Sequence, residues 1–169
     1  SGGAAINKKC KKQLTKQLVG TLPVFVNSAI YAISTMTNIE PVKDVAKVAE
    51  LKIDKNKEEL IAASIGFYGD VDGILVLIFS KKIALQACKI LMGKEDGTTE
   101  EICDSLSEFV NIIAGRAKVV LTSNKTNINI TLPRSFECVD DLLFQMQGKK
   151  GAEVLMKFKN DYFYIFLTT

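Results

Sequence analysis

The sequence predicts one mixed α/β (α+β) domain, built from two helix–strand–hairpin units that share a sheet packed with helices. Three observations predict it. The apolar period switches from 3.6 to 2 twice along the chain, at corresponding places. Phe25-Val26-Asn27 lies in the first long helical stretch and Phe109-Val110-Asn111 in the third. Each of these helices is followed by an extended segment with a proline, Pro41 or Pro133, and then by a hairpin pattern, at 60–80 and 152–168. A helix–strand–hairpin unit cannot bury both of its faces alone, so two units packed face to face are expected to share one core.

The elements follow in order. From Lys8 to Met36, Leu14, Leu18, Leu22, Val26, Ile30 and Ile33 recur at spacings of three and four, one apolar helical stripe. Pro23 interrupts it, so a kink or two helices are expected. Pro41-Val42 starts an extended segment. Leu60 to Ser80 reads as a hairpin about the turn cluster Gly69-Asp70-Val71-Asp72-Gly73. Its Asp-x-Asp-Gly string resembles a calcium loop, but the ligand series stops at Ile74-Leu75-Val76, and the turn is the better reading. Lys81 to Met92 is a short amphipathic helix, an insert between the two units, ended by Gly93. Thr98-Thr99-Glu100-Glu101 opens the next helix with a threonine cap and first-turn acids. That helix runs to about Leu121. Asn127 to Pro133 reads as a strand ended by proline, and Gly151 to Leu167 as two more strands with a turn near Asn160-Asp161. The last of these, from Asp161 to Leu167, is apolar almost throughout and needs cover on both faces or along its edge.

Composition bounds the chemistry. The 169 residues are 47% hydrophobic and 24% charged with a net charge of +3, an ordinary globular profile that argues for neither nucleic acid nor membrane. The early run Lys8, Lys9, Lys11, Lys12 and Lys16 reads as a solvated helix face rather than a membrane or nucleic-acid contact. Ser1-Gly2-Gly3 reads as a cloning scar, which leaves 4–169 as the single domain. There is no histidine. That removes Ser-His-Asp and Cys-His catalysis, His-ligated zinc and phosphohistidine transfer. Cys10, Cys88, Cys103 and Cys138 form no Cys-x-x-Cys pair and read as small buried hydrophobes in a reducing compartment. The sequons at Asn124 and Asn129 are then chance matches. No signal peptide and no apolar run of about 18 residues is apparent, so a cytoplasmic location is expected.

Helix 100–121 has two distinct faces. Ile102, Leu106, Phe109, Ile113 and Ala117 form an apolar stripe. Opposite it lie Asp104, Glu108, Asn111, Gly115 and Lys118, at spacings of four, three, four and three. An acid and an amide on an exposed helix face are by themselves usually just solvated. Gly115 weakens the helix by about 1 kcal/mol against alanine, and its smallness suits either helix packing or the close approach of another backbone.

The segment Ser105-Leu-Ser-Glu-Phe-Val-Asn-Ile-Ile-Ala-Gly-Arg-Ala-Lys118 resembles the signature helix of the CheC/CheX/FliY phosphatases. Their motif is Asp or Ser, three residues, Glu, two residues, Asn, then about twenty residues and a proline. Asp104, Glu108, Asn111 and Pro133 occupy those places here. Val26 to Met36, Gly66 to Leu75 and Leu85 to Gly93 resemble further parts of CheX proteins in the right order, so residues about 22 to 168 are covered. Val24 stands where a two-site relative would carry a glutamate in the earlier helix, which matches the one-site CheX pattern. Ser107 and Arg116 depart from the usual glycine and asparagine.

The resemblance implies a duplicated α–β–β fold and a chemotaxis role in two-component signalling. It implies hydrolysis of the aspartyl phosphate on a CheY-like response regulator, with Glu108 and Asn111 catalytic and Asp104, Ser107, Gly115 and Lys118 contacting the partner. Glu108 would pair with the regulator's lysine, and Asn111 would orient the attacking water. No cofactor or metal is expected on this chain, the Mg²⁺ being supplied by the regulator. A homodimer that extends or swaps the sheet is expected, and would cover the apolar final strand. The other reading is a non-catalytic adaptor that binds a response regulator or a flagellar switch component.

Overall fold

The structure, a computed structural model, describes residues 14–53 and 59–169. The expected start of the first helix, Cys10 and most of the early lysine run lie outside the described residues. The elements are α1 (Lys16–Gly20), α2 (Leu22–Thr37), β1 (Val42–Glu50), β2 (Leu60–Gly69), β3 (Gly73–Ser80), α3 (Lys81–Met92), α4 (Thr99–Ser123), β4 (Ile128–Ile130), β5 (Arg134–Phe136), α5 (Val139–Gln145), β6 (Lys150–Phe158) and β7 (Asp161–Thr168).

The first apolar stripe is two helices. Thr15 caps α1, its hydroxyl accepting from the Leu18 N–H at 3.1 Å. The break falls at Thr21, whose hydroxyl donates to the Leu18 carbonyl at 2.6 Å. Pro23 then sits in the first turn of α2, where a missing N–H costs nothing. Contrary to the sequence expectation, Lys16–Thr37 is long and apolar enough to cross a membrane by length and composition. Its apolar side is the core of the fold, with Leu18, Phe25, Val26, Ala29 and Ile33 all buried.

All strands pair antiparallel in one seven-stranded sheet, in the order β1-β6-β7-β3-β2-β4, with β5 also on β2. The two units therefore meet edge to edge at β3 and β7 rather than face to face. Each gives its first strand to the other's hairpin: β1 pairs β6, and β4 pairs β2. A pseudo-twofold axis between β3 and β7 relates the halves, and α2 and α4 pack side by side on one face. There Phe25, Phe67, Phe79, Phe109 and Phe163 belong to one continuous core. Phe79 stacks on Phe163 at 5.0 Å and meets Phe109 edge-on at 6.0 Å.

Three further expectations need correction. β7 is a central strand covered by its own chain: Phe163, Ile165 and Leu167 face the α2–α4 layer, and Phe166 joins a second core under α5. Its apolar run thus gives no argument for a dimer. Second, the strand expected over 127–133 is β4 alone, and β5 follows beyond Pro133. The short helix α5, which puts Val139 and Leu142 on the second core, is an addition to the expected elements. Third, Cys88 and Cys103 are buried as expected, but Cys138 is exposed at the start of α5.

The turn between β2 and β3 fixes the far end of α4. The Asp70 N–H donates to the Asn127 carbonyl at 2.9 Å, and the Asp70 carboxylate accepts from the Asn127 N–H at 2.7 Å. Gly69 has φ 139°, and a Cβ there would lie 2.6 Å from the Asn127 oxygen. Asp70 is spent on this clamp, in keeping with the turn reading.

Candidate functional site

The site is built on α4. Thr98 and Glu101 form a reciprocal cap: the Thr98 hydroxyl accepts from the Glu101 N–H at 3.2 Å, and the Glu101 carboxylate accepts from the Thr98 N–H at 3.3 Å. Lys94 bridges Glu101 at 2.6 Å and holds its carboxyl below the usual range. The buried stripe Ile102, Leu106, Phe109, Ile113, Ala117 and Leu121 then fastens the helix to the sheet and to α2 along most of its length. Ser105 is buried as well, its hydroxyl donating to the Glu101 carbonyl at 2.8 Å. Burial pushes the Cys103 thiol up, which makes it a weak nucleophile.

The opposite face points to solvent. Asp104, Glu108 and Asn111 are exposed, and Ser107, Gly115 and Lys118 half-buried. Glu108 and Asn111 are one helical step of three apart, so their Cβ atoms are neighbours about 5–6 Å apart. Neither side chain has a hydrogen-bond or ion-pair partner among the described residues, and the same holds for Asp104 and Lys118. A Cβ on Gly115 would meet nothing within 4 Å. Helix packing therefore does not explain this glycine. Exposed Ile112 and Val119 extend the same face; the polar pattern of the sequence does not single them out.

Pro133 belongs to a protruding loop rather than a strand end. The Gly66 N–H donates to the Thr131 hydroxyl at 3.0 Å, and the Thr131 N–H to the Gly66 carbonyl at 2.9 Å. Beyond Pro133, Arg134 resumes the pairing opposite Ser64. Held at both ends, the loop leaves Leu132 87% exposed. Arg116 is exposed at the margin of this face, toward α2, its guanidinium carbon 3.3 Å from the centre of the half-exposed Tyr31 ring.

What this face offers is a carboxylate and a neutral amide, both unspent, on a rigid support. Among the described residues no three His, Cys, Asp or Glu side chains converge to hold a metal.

The duplicated units, the shared sheet and the helix pair define a CheC-like chemotaxis fold. A CheX protein from Desulfovibrio desulfuricans matches it with TM-score 0.69 at 18% identity, over 89% of this chain and 99% of that one. CheX from Vibrio vulnificus gives 0.68 at 17%, over 88% and 98%. CheX in a CheX–CheY–BeF₃–Mg²⁺ complex from Borrelia burgdorferi gives 0.67 at 20%, over 88% and 96%. No curated protein matches the sequence. The family model described as chemotaxis phosphatase CheX matches residues 61–155, more than half of the chain and all of α4. The chain belongs to the CheX family.

Proposed function

We propose that this protein stimulates hydrolysis of the aspartyl phosphate on a CheY-like response regulator, with α4 entering the regulator's active site. The observation that carries this reading is the pair Glu108 and Asn111, both without a hydrogen-bond or ion-pair partner among the described residues, on a capped and core-anchored helix in a CheX-family chain. The Borrelia relative in complex with CheY supports the choice of partner.

An acyl phosphate is already reactive. The regulator's own Mg²⁺ and lysine neutralise the phosphoryl oxygens, and the transition state is loose, so little general-base help is needed. What remains is to place a water in line with the breaking P–O bond. Asn111 suits this role, because its amide oxygen accepts from the water and its NH₂ donates to a phosphoryl oxygen. Orienting one water contributes about 10²-fold or more. Glu108 pairs with the regulator's lysine and sets the depth of the helix. Asp104, Ser107, Gly115 and Lys118 line the contact, with open space at Gly115 for a close backbone. No phosphoryl-enzyme intermediate forms on this chain, and the metal remains part of the substrate.

The protein acts in the cytoplasm, where its substrate is made, and as a homodimer. Support for the dimer comes from β1, a nine-residue edge strand whose Val42, Val45 and Val48 are 62%, 51% and 59% exposed. Such an edge invites a second strand.

The test is phosphate release from phosphorylated CheY-type regulators of the same organism, with and without the protein. Accelerated release supports the reading. Binding without acceleration would replace it with the adaptor.

A further inference from the structure

We propose that Arg116, held on Tyr31, is a specificity-determining docking residue that receives a carboxylate on the regulator while Glu108 receives its lysine. The inference rests on the phosphatase reading for the identity of the partner, and it names what orients that partner on the site.

Arg116 follows Glu108 by eight residues, about 12 Å along the axis and about 80° around it. Both lie on the solvent side of α4. The guanidinium lies 3.3 Å from the Tyr31 ring centre. It has no hydrogen bond and no ion pair among the described residues, so its N–H donors are unspent. An ordinary surface arginine loses much rotamer freedom when it grips a partner. Stacking on a ring that itself belongs to the core-anchored α2 removes most of that loss beforehand.

The charge on this face is ordered. Among the described residues, Asp104 and Glu108 stand without an ion pair in the N-terminal half, and Arg116 and Lys118 without one in the C-terminal half. Glu101 adds no free charge to the first group because Lys94 neutralises it. The helix dipole does not account for Arg116, which lies two turns before the end at Ser123, beyond the last turn where that effect acts. Between the two charges lie the exposed Ile112 and Gly115, where an added Cβ would meet nothing within 4 Å. The matching surface carries a cation facing Glu108 and a carboxylate displaced from it by about 12 Å along the helix axis and about 80° around it. Docking in the reverse sense sets like charges against each other, and this selects one orientation.

The experiment measures stimulated dephosphorylation of CheY-type regulators charged with acetyl phosphate, using wild type, Arg116→Ala, Arg116→Lys, Arg116→Glu and Tyr31→Ala. Calorimetric binding of the beryllofluoride-treated regulator is measured in parallel. Arg116→Ala raises KM and Kd about tenfold at unchanged kcat, as expected for loss of a rim charge pair. Arg116→Glu does more, and Arg116→Lys and Tyr31→Ala do less. The salt dependence of Kd flattens in Arg116→Ala. Unchanged KM and Kd overturn the inference, even where the melting temperature falls, because the stack would then only join two helices. A loss confined to kcat overturns it too. Wild type that binds but does not turn over, with binding weakened in Arg116→Ala, overturns the phosphatase reading and leaves this one standing. Wild type that binds no regulator overturns both.

Discussion

Asn111 and Glu108 are neighbours on one helix face with separable roles. Asn111→Ala is expected to abolish nearly all stimulated dephosphorylation while leaving the fold intact. The side chain is exposed and has no hydrogen-bond partner among the described residues, and such surface changes stay within about 0.5 kcal/mol. Circular dichroism and the thermal midpoint check the second half of that statement. Glu108→Gln is expected to weaken docking as well, because losing one member of a partly buried interfacial charge pair costs roughly 2–5 kcal/mol. Titration calorimetry at two salt concentrations separates the variants, and equal affinities for both would remove the lysine pairing. A third residue concerns stability alone. Glu153 on β6 is only 6% exposed, one carboxylate oxygen has no partner, and burial raises its pKa despite the opposing pull of Lys47 on β1. A folded-state pKa above the unfolded value of about 4.3 means that ionisation disfavours the fold. Stability is highest below the unfolded pKa, declines as pH rises through the interval up to the folded pKa, and stays lower beyond it. Glu153→Gln should therefore raise the melting temperature at pH 7, with a gain that disappears near pH 4. A variant no more stable than wild type at pH 7 would mean that the carboxylate is satisfied.

At the scale of elements, α4 is a rod whose one side is spent on the core and whose other side is free. Phe109→Ala removes the edge-on contact with Phe79 and leaves a hole beneath the site. The expected loss is roughly 3–5 kcal/mol, read by chemical denaturation, with weaker activity because the rod loses its bed. Gly115→Ala separates packing from docking. Nothing lies within 4 Å of the added methyl, so the isolated protein gains up to about 1 kcal/mol from helix propensity. A close partner backbone, however, would meet that methyl. Higher stability with lower regulator affinity is expected, and higher stability at unchanged affinity would place the interface elsewhere. The two faces of α4 are visible in the sequence because helical period alone decides them. The β4–β5 region is not, because there a threonine hydroxyl replaces a ladder hydrogen bond at Gly66, a contact between residues 65 apart that no local pattern reports. The helix α5 is short enough that its two core residues, Val139 and Leu142, leave no periodic signal.

On the scale of the whole molecule, strand exchange between the two units leaves β1 at the rim. It pairs with β6 on one side only, with an irregularity between Lys43 and Val45. The homodimer is expected to form through this edge, and Val48→Lys, which replaces an exposed valine on it, should shift the protein toward monomer. Light scattering at micromolar concentrations checks both. Wild type that is monomeric throughout would mean that the bulge and the strand's lysines suffice to protect the edge.

Periodicity determined the longer helices, the two hairpins and the polar line from Asp104 to Lys118, because each depends on residues within a few positions of one another. The order of elements determined the duplication. The absence of histidine from the sequence excluded catalysis by a histidine side chain. Tertiary structure alone decided the rest. Whether the apolar run of β7 lies inside the protein or at an interface depends on which strands flank it, and the strand order puts β3 and β6 there. Whether Gly115 serves packing depends on what surrounds it, and the answer is open space. The stack of Arg116 on Tyr31 joins residues 85 positions apart on two helices, and only the lateral packing of α2 against α4 brings them together.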